Sequence, residues 1–288
     1  MKVNLDNNSA MNTQFYLNLK PHEFKRRFGD KIQTFQEMVN AIEQFRLEHP
    51  KDRRGRHTHL TLQEQVLVAL EYWREYRTYF HIGTNWGVSE STICRIVANI
   101  ESTLIKTEKF RIPGKKALIQ DSGYPEIVVM DVTETAIERP KKKQKKYYSG
   151  KKKHHTLKIQ LVINQETKQI ICTDFGEGHC HDFSLFKKSK IHFHPQTDSL
   201  QDSGYQGIKD YHLNSYVPKK KPKNGNLSVL EKDYNQALAH QRIVIEHVNR
   251  SLKIFRILSS RYRNRRRRYG LRCNLLSAIY NYELTLLV

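Results

Sequence analysis

The sequence predicts an α/β domain preceded by an all-α helix-turn-helix domain. Up to about residue 104, apolar residues recur at helical spacing in segments separated by polar turns. From about residue 125 the pattern changes to short β-rich runs, followed by alternating helical and extended segments. Because 38% of the 288 residues are hydrophobic, the chain can form a core. The formal net charge of +21 requires an anionic partner.

The first predicted helices each present one apolar face. Residues 20–48 place apolar side chains on one side of a helix, and the basic turn KDRRGRHTH follows at 51–59. The next helix is predicted from Leu62 to Tyr76. Thr61 is a favourable N-cap for it, since a threonine hydroxyl can accept a hydrogen bond from the first turn.

A helix-turn-helix is predicted next. After the short segment TYFHIGTNWG, Gly87 supplies a turn residue and Ser89 an N-cap, and an amphipathic helix follows up to residue 104. The start of a recognition helix meets base edges in such domains. The residues expected to contact DNA there are Ser89, Ser91, Thr92 and Arg95. A purely structural helical bundle would give a similar pattern and stays open as an alternative.

Three strands and a long helix are predicted in the second part of the chain. EIVVMDVTET, HTLKIQLVIN and QIICTDF suggest a meander of antiparallel strands, with the first strand central. A short helix over HDFSLFKKSK, short strands in TDSLQD and NSYVP, and a helix from about 229 to 260 follow. This order predicts a mixed sheet flanked by helices.

Three acidic residues are candidates for a metal site. Asp131 follows the apolar run IVVM and Asp202 follows TDSLQ, so both are expected where a strand ends, and Glu246 lies in the long helix. Three carboxylates from such positions form the oxygen site that Mg²⁺ accepts. Each residue also has an ordinary explanation, because Asp often forms turns and Glu246 could pair with a neighbouring arginine on the helix surface.

The basic residues are concentrated in three segments, KKKQKKYYSGKKK at 141–153, KKKPK at 219–223 and RYRNRRRR at 261–268. Lysine and arginine bind nucleic acid by neutralising phosphates and releasing counterions. We therefore expect DNA contacts from Lys151, Lys152, Lys153, Arg265 and Arg266. The alternative for any single segment is a nuclear-localisation-like or merely solvated run.

The order of several short motifs resembles the bacterial insertion-sequence transposases of the DDE superfamily, in the branch that includes the Harbinger-type nucleases of eukaryotes. These motifs are DVTETAIERP, YYSGKKKHHTLKIQ, GEGHCHDFS, DSGYQG and RIVIEHVNRSLKIF. The resemblance covers about residues 125–258, and the helix-turn-helix is similar to the segment that the family carries ahead of its nuclease domain. It implies an RNase H-like fold. The expected domains are a helical segment at 1–56, the helix-turn-helix at 57–108, a linker at 109–124 and the RNase H-like domain at 125–288.

The resemblance also implies roles for individual residues. Asp131, Asp202 and Glu246 correspond to the family's catalytic metal carboxylates, which are expected to hold two Mg²⁺ or Mn²⁺ ions. Arg242, Glu246 and Lys253 match the family spacing of Arg, three residues, Glu, six residues and Lys, so both cations are candidates to steer the scissile phosphate. Ala239 stands where some relatives have a tyrosine. Asp182 matches a His-Asp pair of the family and is expected beside the site.

The implied function is that of a DNA transposase. Such a protein binds the terminal inverted repeats of its element and performs metal-dependent strand cleavage and strand transfer at one site. The implied partner is double-stranded DNA, bound by a homodimer or a larger assembly. Two alternatives stay open. The chain could be a catalytically inactive or domesticated DNA-binding protein, such as a transcriptional regulator, or a DDE nuclease that cuts without strand transfer.

The sequence also indicates where the protein works. No run of about 18 apolar residues occurs and the N-terminus is polar, so we expect neither a membrane span nor a secretory signal. The expectation is a cytoplasmic protein, associated with the nucleoid if it is bacterial, with no membrane partner. The four cysteines form no CxxC pair, and the spacing of His and Cys around GEGHCHDF and HFH fits no standard zinc pattern.

Overall fold

The computed structural model describes residues 14–50 and 58–287. The chain forms two compact units. The first comprises the residues up to Arg111, together with Ile254–Ser260 and the residues from Asn274 onward, and the second comprises Ile112–Lys253 and Arg261–Cys273. Most of the predicted basic turn at 51–59 lies outside the described residues. Within the described ranges, no helix is both long enough and apolar enough to cross a bilayer.

The first unit begins with helices α1 (Pro21–Phe28), α2 (Ile32–Glu48), α3 (Leu62–Glu75), α4 (Tyr79–Trp86) and α5 (Glu90–Leu104). Where the sequence predicted helix throughout 20–48, the structure has two helices. The break is at Gly29, whose φ of 97° is a left-handed conformation that glycine adopts without strain. The predicted bounds of α3, by contrast, agree with the structure to within one residue.

The helix-turn-helix is confirmed, with α4, a turn at Gly87 and α5. The Thr61 hydroxyl accepts a hydrogen bond from the N–H of Glu64 at 3.3 Å, and the Ser89 hydroxyl accepts one from the N–H of Thr92 at 3.2 Å. These contacts satisfy N–H groups that a helix start otherwise leaves unpaired. Both predicted N-caps are therefore confirmed.

The second unit contains a mixed sheet. Its strands are β1 (Ile127–Ala136), β2 (Tyr148–Ser149), β3 (His154–Asn164), β4 (Ile170–Glu177), β5 (Asp198–Leu200) and β6 (Ser215–Tyr216). The order along the sheet is β2, β3, β1, β5 and β6, with β4 also paired to β3. The predicted antiparallel meander of β1, β3 and β4 is confirmed, and β1 is central as expected. The pairing of β1 with β5 is parallel.

The helices after α5 are α6 (Gln144–Tyr147), α7 (Asp182–Ser189), α8 (Val229–Lys253), α9 (Arg256–Ser259) and α10 (Tyr269–Thr285). Of these, α6, α7 and α8 belong to the second unit, α9 belongs to the first, and α10 begins in the second unit and continues in the first. Met130, Val162 and Phe186 of α7 belong to one buried cluster. Asp131, the next residue of β1, therefore faces the opposite side of the sheet, where α8 packs against β1. The predicted fold class, a mixed sheet flanked by helices after a helix-turn-helix, is confirmed.

Two predicted element ends were wrong. The long helix was expected to continue to residue 260, but α8 ends at Lys253 because Phe255 adopts an extended conformation, with ψ of 108°. Asp131 was expected at the end of its strand, but β1 continues to Ala136 and pairs with β3 throughout. The residues after Asp131 include β-branched side chains that favour this extended pairing.

Candidate active site

The two aspartates nominated from the sequence lie at the same level of the sheet. The last parallel pair between β1 and β5 joins Val129 to Leu200. Asp131 and Asp202 each follow this pair by two residues, and the negative charge of Asp202 acts on Asp131, so the two carboxyl groups lie near each other just beyond it. The separation of β5 from β1 after Leu200 therefore leaves Asp131 facing an open edge, even though it lies within its own strand.

Charges on the neighbouring elements act on Asp131. Burial raises the pKa of this carboxyl from 3.8 to about 6, Arg242 opposes that rise, and the negative charges of Asp202 and Glu246 add to it. The structure thus brings the three predicted carboxylates and Arg242 into one electrostatic neighbourhood. Glu246 is exposed, whereas Asp202 is partly buried.

Asn249 is the residue of α8 that contacts Asp131 directly. Its side-chain Nδ2 donates a hydrogen bond to Asp131 Oδ2 at 3.2 Å, and Asn249 is only 5% exposed. Its Oδ1 has no hydrogen-bond partner among the described residues. The sequence reasoning missed this residue, although Arg242, Glu246 and Asn249 share one helical stripe and the spacing could have indicated it.

The carboxylates of Asp182 and Asp202 both lie next to Gly204. The Oδ1 of Asp202 accepts a hydrogen bond from the N–H of Gly204 at 2.8 Å. A β-carbon at Gly204 would lie 2.9 Å from Asp202 Oδ1 and 3.2 Å from Asp182 Oδ2. A side chain at position 204 would therefore force the Asp202 carboxylate to shift. The role of Asp182 beside the site stays a prediction.

A buried lysine holds Asp182. Lys158 Nζ lies 2.7 Å from Asp182 Oδ1 and 3.8 Å from Glu134 Oε1, and the lysine side chain is 9% exposed. The Thr156 hydroxyl donates to the other oxygen of Glu134 at 2.7 Å. A buried ammonium with two carboxylates and a hydroxyl fixes these side chains, because displacing one partner would leave a buried charge unpaired.

Tyr205 adds a neutral hydroxyl close to the acidic residues. Burial raises its pKa well above the usual value, and the charges of Asp131, Asp182 and Asp202 raise it further. Its hydroxyl donates to Gln160 Oε1 at 3.4 Å. The phenol therefore stays protonated beside the carboxylates. The sequence reasoning did not select it, because burial next to three acids is a property of the tertiary structure.

Two buried polar atoms on α8 at this site, Arg242 Nε and Asn249 Oδ1, have no hydrogen-bond partner among the described residues. Folded proteins leave few such atoms unpaired, and a ligand that completes the site would pair them. The donors are carboxylate and amide oxygens, which suit a hard divalent cation. Across residues 14–50 and 58–287, however, no three His, Cys, Asp or Glu side chains are already grouped closely enough to hold an ion.

The predicted DNA contacts of the helix-turn-helix lie at its surface. Ser89, Ser91 and Arg95 are exposed, and Thr92 is partly exposed. Ser89 Oγ lies 3.0 Å from Ser91 Oγ and 2.9 Å from Thr92 Oγ1, so the three hydroxyls form one cluster at the start of α5. Arg95 follows one turn later.

Among the remaining predicted cations, Lys151 lines a pocket together with Lys158 and Asp182. Lys151, Lys152 and Lys153 are exposed in the turn between β2 and β3. This turn ends where β3 begins at His154, which is seven residues, or roughly 23 Å along the strand, from Leu161, the partner of Asp131. Arg265 and Arg266 are exposed, and Lys253 is exposed at the end of α8, about 10 Å along the helix from Glu246.

Comparison with known proteins matches both parts of the chain. Residues 58–109 match the family described as the helix-turn-helix of DDE superfamily endonuclease, and residues 130–281 match the family described as DDE superfamily endonuclease. The chain is 53% identical over 268 residues to the "Probable transposase for insertion sequence element IS702" of Microchaete diplosiphon, covering 93% of this chain and 96% of that protein. It is 24% identical over 212 residues to the human "Putative nuclease HARBI1", covering 70% of this chain and 58% of that protein.

Proposed function

Because this chain belongs to the insertion-sequence transposases of the DDE endonuclease superfamily, we propose that it binds its element's terminal inverted repeats, cuts them in a metal-dependent reaction and joins them to a target. The observation that carries the proposal is the position of Asp131 and Asp202, side by side where β5 separates from β1. The polar stripe of α8, with Arg242, Glu246 and Asn249, packs toward that edge.

Asp131, Asp202 and Glu246 are proposed to hold two Mg²⁺ or Mn²⁺ ions. Bound there, the ions would activate a water or a DNA 3′-hydroxyl and stabilise the leaving oxygen of an in-line displacement at phosphorus. The unpaired Oδ1 of Asn249, the residue that donates to Asp131, supports a site that is completed by ligands. The rise of the Asp131 pKa supports it as well, because a nearby cation would stabilise the charge that burial, and to a smaller extent Asp202 and Glu246, disfavour.

The cationic and neutral groups of the site have their own roles in this proposal. Arg242 lies close enough to act electrostatically on Asp131, so its guanidinium can bind a phosphate oxygen of a strand that enters the site. Tyr205 remains protonated and keeps a neutral donor beside the aspartates. Lys253 is placed to contact the backbone further along the strand. Positioning and charge stabilisation of this kind supply most of the catalysis in phosphoryl transfer.

The helix-turn-helix is proposed to read the terminal repeats. Arg95 and the hydroxyls of Ser91 and Thr92 would contact base edges, while Ser89 keeps its hydroxyl on the helix start. Lys151–Lys153, Arg265 and Arg266 would contact phosphates. Cutting two ends of an element requires two sites, so we propose a homodimer or larger assembly on DNA, in the cytoplasm and associated with the nucleoid.

The test uses the purified full-length chain, a labelled terminal-repeat duplex and a plasmid target, with Mg²⁺ or Mn²⁺. Asp131→Asn, Asp202→Asn and Glu246→Gln should each abolish cleavage and leave duplex binding largely intact. Asp121→Asn is the matched control, because Asp121 stands in the first of two QDSGY motifs and is exposed. It should cut like the wild type.

The products of the same reaction separate the alternatives. Cleavage followed by joined plasmid products supports a transposase, and cleavage without joining identifies a nuclease. Specific binding without cleavage under any metal would identify a DNA-binding protein that has lost catalysis. Cleavage that survives the substitution of Asp131 would refute the proposed site.

A further inference from the structure

Two basic segments that are far apart in the sequence lie side by side in the second unit. The N–H of Tyr262 donates to the carbonyl oxygen of Ala136 at 2.7 Å, and Ile137 and Tyr262 form a parallel bridge. The guanidinium carbon of Arg266 lies 4.5 Å from the centre of the Tyr147 ring. Segment 261–268 is therefore joined to the end of β1 through Tyr262, and Arg266 links it directly to Tyr147 of segment 141–153.

The cations of both segments face solvent. The exposed residues are Lys141, Lys142, Lys143, Lys145, Lys146, Lys151, Lys152, Lys153, Arg265, Arg266 and Arg267. Lys146 pairs with Glu177 at 2.7 Å, which ties its segment to β4. Such a density of exposed positive charge repels itself unless an anion neutralises it, and a polyanion with regularly spaced charges is the complementary partner.

We propose that segments 141–153 and 261–268 form one surface, the joint basic surface, which binds the phosphate backbone of duplex DNA. Tyr147 is the residue that couples its two halves. The inference rests on the proposed function and adds to it where the DNA backbone is bound relative to the carboxylates. Segment 261–268 meets β1 at Ala136, five residues beyond Asp131, so the surface starts about 17 Å along the strand from Asp131. That length corresponds to about five base pairs.

Tyr147 allows the coupling to be tested without changing any charge. Tyr147→Leu removes the ring that orients Arg266, whereas Tyr147→Phe keeps the ring and is the matched control. Binding of the full chain to a fluorescent terminal-repeat duplex is measured by anisotropy at several salt concentrations. Tyr147→Leu should weaken binding about three- to tenfold and Tyr147→Phe should not. Thermal unfolding verifies that each variant is folded.

A double-substitution cycle decides whether the two halves act together. Arg266→Gln should weaken DNA binding and lower the slope of log affinity against log salt concentration by the amount expected for one phosphate contact. Adding Tyr147→Leu to Arg266→Gln should then cause little further loss of affinity. Additive losses, or a Tyr147→Leu variant that binds like the wild type, would overturn the joint basic surface. If replacing Lys151–Lys153 and Arg265 by glutamine also left binding unchanged, these segments would not contact DNA and that part of the proposed function would fail.

A second, independent observation concerns Asn249. It combines near-complete burial, a hydrogen bond to Asp131 and an unpaired carbonyl oxygen. A purely structural amide in a helix would be expected to pair both its N–H and its carbonyl oxygen, because an unpaired buried acceptor is destabilising. We infer that Asn249 is a positioning residue for Asp131, and that its Oδ1 is available as a further oxygen donor at the metal site of the proposed function.

Mn²⁺ binding distinguishes this role from a structural one. Asn249→Leu keeps the volume and removes both polar atoms, and Val244→Ala is the matched control because it perturbs the buried side of the same helix away from Asp131. Mn²⁺ affinity is measured by electron paramagnetic resonance, and cleavage is measured as a function of Mn²⁺ concentration. Asn249→Leu should weaken Mn²⁺ binding about tenfold or more, with cleavage largely recovered at high Mn²⁺.

The control and the wild type separate the outcomes. Val244→Ala should lower the unfolding temperature without moving the Mn²⁺ affinity. If Asn249→Leu behaved the same way, the residue would be structural and the inference would fail. If the wild type itself bound no Mn²⁺ and cut no DNA, the proposed function would fail instead.

Discussion

Replacing Asp131 by asparagine is expected to stabilise the metal-free protein while it abolishes cleavage. The folded protein raises the pKa of this carboxyl from 3.8 to about 6, chiefly through burial. At neutral pH the folded state must therefore hold a charge that it disfavours by up to about 3 kcal/mol relative to the unfolded chain. Asparagine has nearly the same shape, can still accept the hydrogen bond from Asn249 and carries no charge.

The pH dependence of this effect has a definite sign. Between about pH 4 and pH 6 the folded state binds more protons at Asp131 than the unfolded state, so the contribution of this residue to stability falls as the pH rises. The full free-energy cost of the ionised Asp131 is present above about pH 6, and it disappears below about pH 4. The advantage of Asp131→Asn over the wild type should follow the same course.

Urea unfolding in EDTA measures the difference. At pH 7.5 the variant should be more stable by about 1–3 kcal/mol, and near pH 4 the two proteins should be equal. Asp121→Asn should match the wild type at both values. Added Mn²⁺ should stabilise the wild type and not the variant, because only the ionised carboxylate binds the ion. Equal stabilities at pH 7.5 would refute the argument that Asp131 is held in a destabilising environment.

Three further substitutions test other contacts. Lys158→Met should lower the free energy of unfolding in urea by about 3–5 kcal/mol, because it leaves buried carboxylates unpaired. Adding Asp182→Asn should restore part of the lost stability, and an unchanged urea midpoint for Lys158→Met would contradict this prediction. Arg95→Gln should lower affinity for the terminal-repeat duplex by about 1–3 kcal/mol in anisotropy and barely affect random duplex, whereas equal losses on both would show that Arg95 contacts phosphate. Gly204→Ala should abolish cleavage in a folded protein, because the added β-carbon would lie 2.9 Å from Asp202 Oδ1; wild-type cleavage would show that this carboxylate is free to move.

Local chemistry in the sequence was sufficient to predict many of the elements. Thr61 and Ser89 cap their helices as expected, because capping depends on residues within one turn. Gly29 carried a local signal that was overlooked, since a glycine in a left-handed conformation ends α1. The extent of β1 could not be predicted in the same way. Asp131 interrupts its apolar pattern, and the strand continues because β3 supplies pairing partners from a distant part of the chain.

At the candidate site, too, some residues could be predicted from the sequence and others could not. Asp131, Asp202 and Glu246 were nominated from the sequence, and their roles stay predictions until the substitutions are made. Asn249 was not nominated, because its contact with Asp131 depends on how α8 is rotated against the sheet. The link between Tyr147 and Arg266 was equally invisible, since it joins loops from two separate parts of the chain. Sequence patterns indicate which residue types could act, whereas packing decides which of them meet.

The distance between the basic surface and the carboxylates has a physical reason. A dense group of lysines and arginines beside Asp131 would repel the divalent cations that the site is proposed to hold. The joint basic surface begins about 17 Å along β1 from Asp131, and charges are screened over about 8 Å at physiological salt. The surface can therefore bind phosphates without competing strongly with the cations, and Arg242 is left as the guanidinium that acts directly on Asp131. Lowering the salt should extend the repulsion, so Mn²⁺ affinity in the absence of DNA should fall at low ionic strength and recover when segments 141–153 and 261–268 are neutralised.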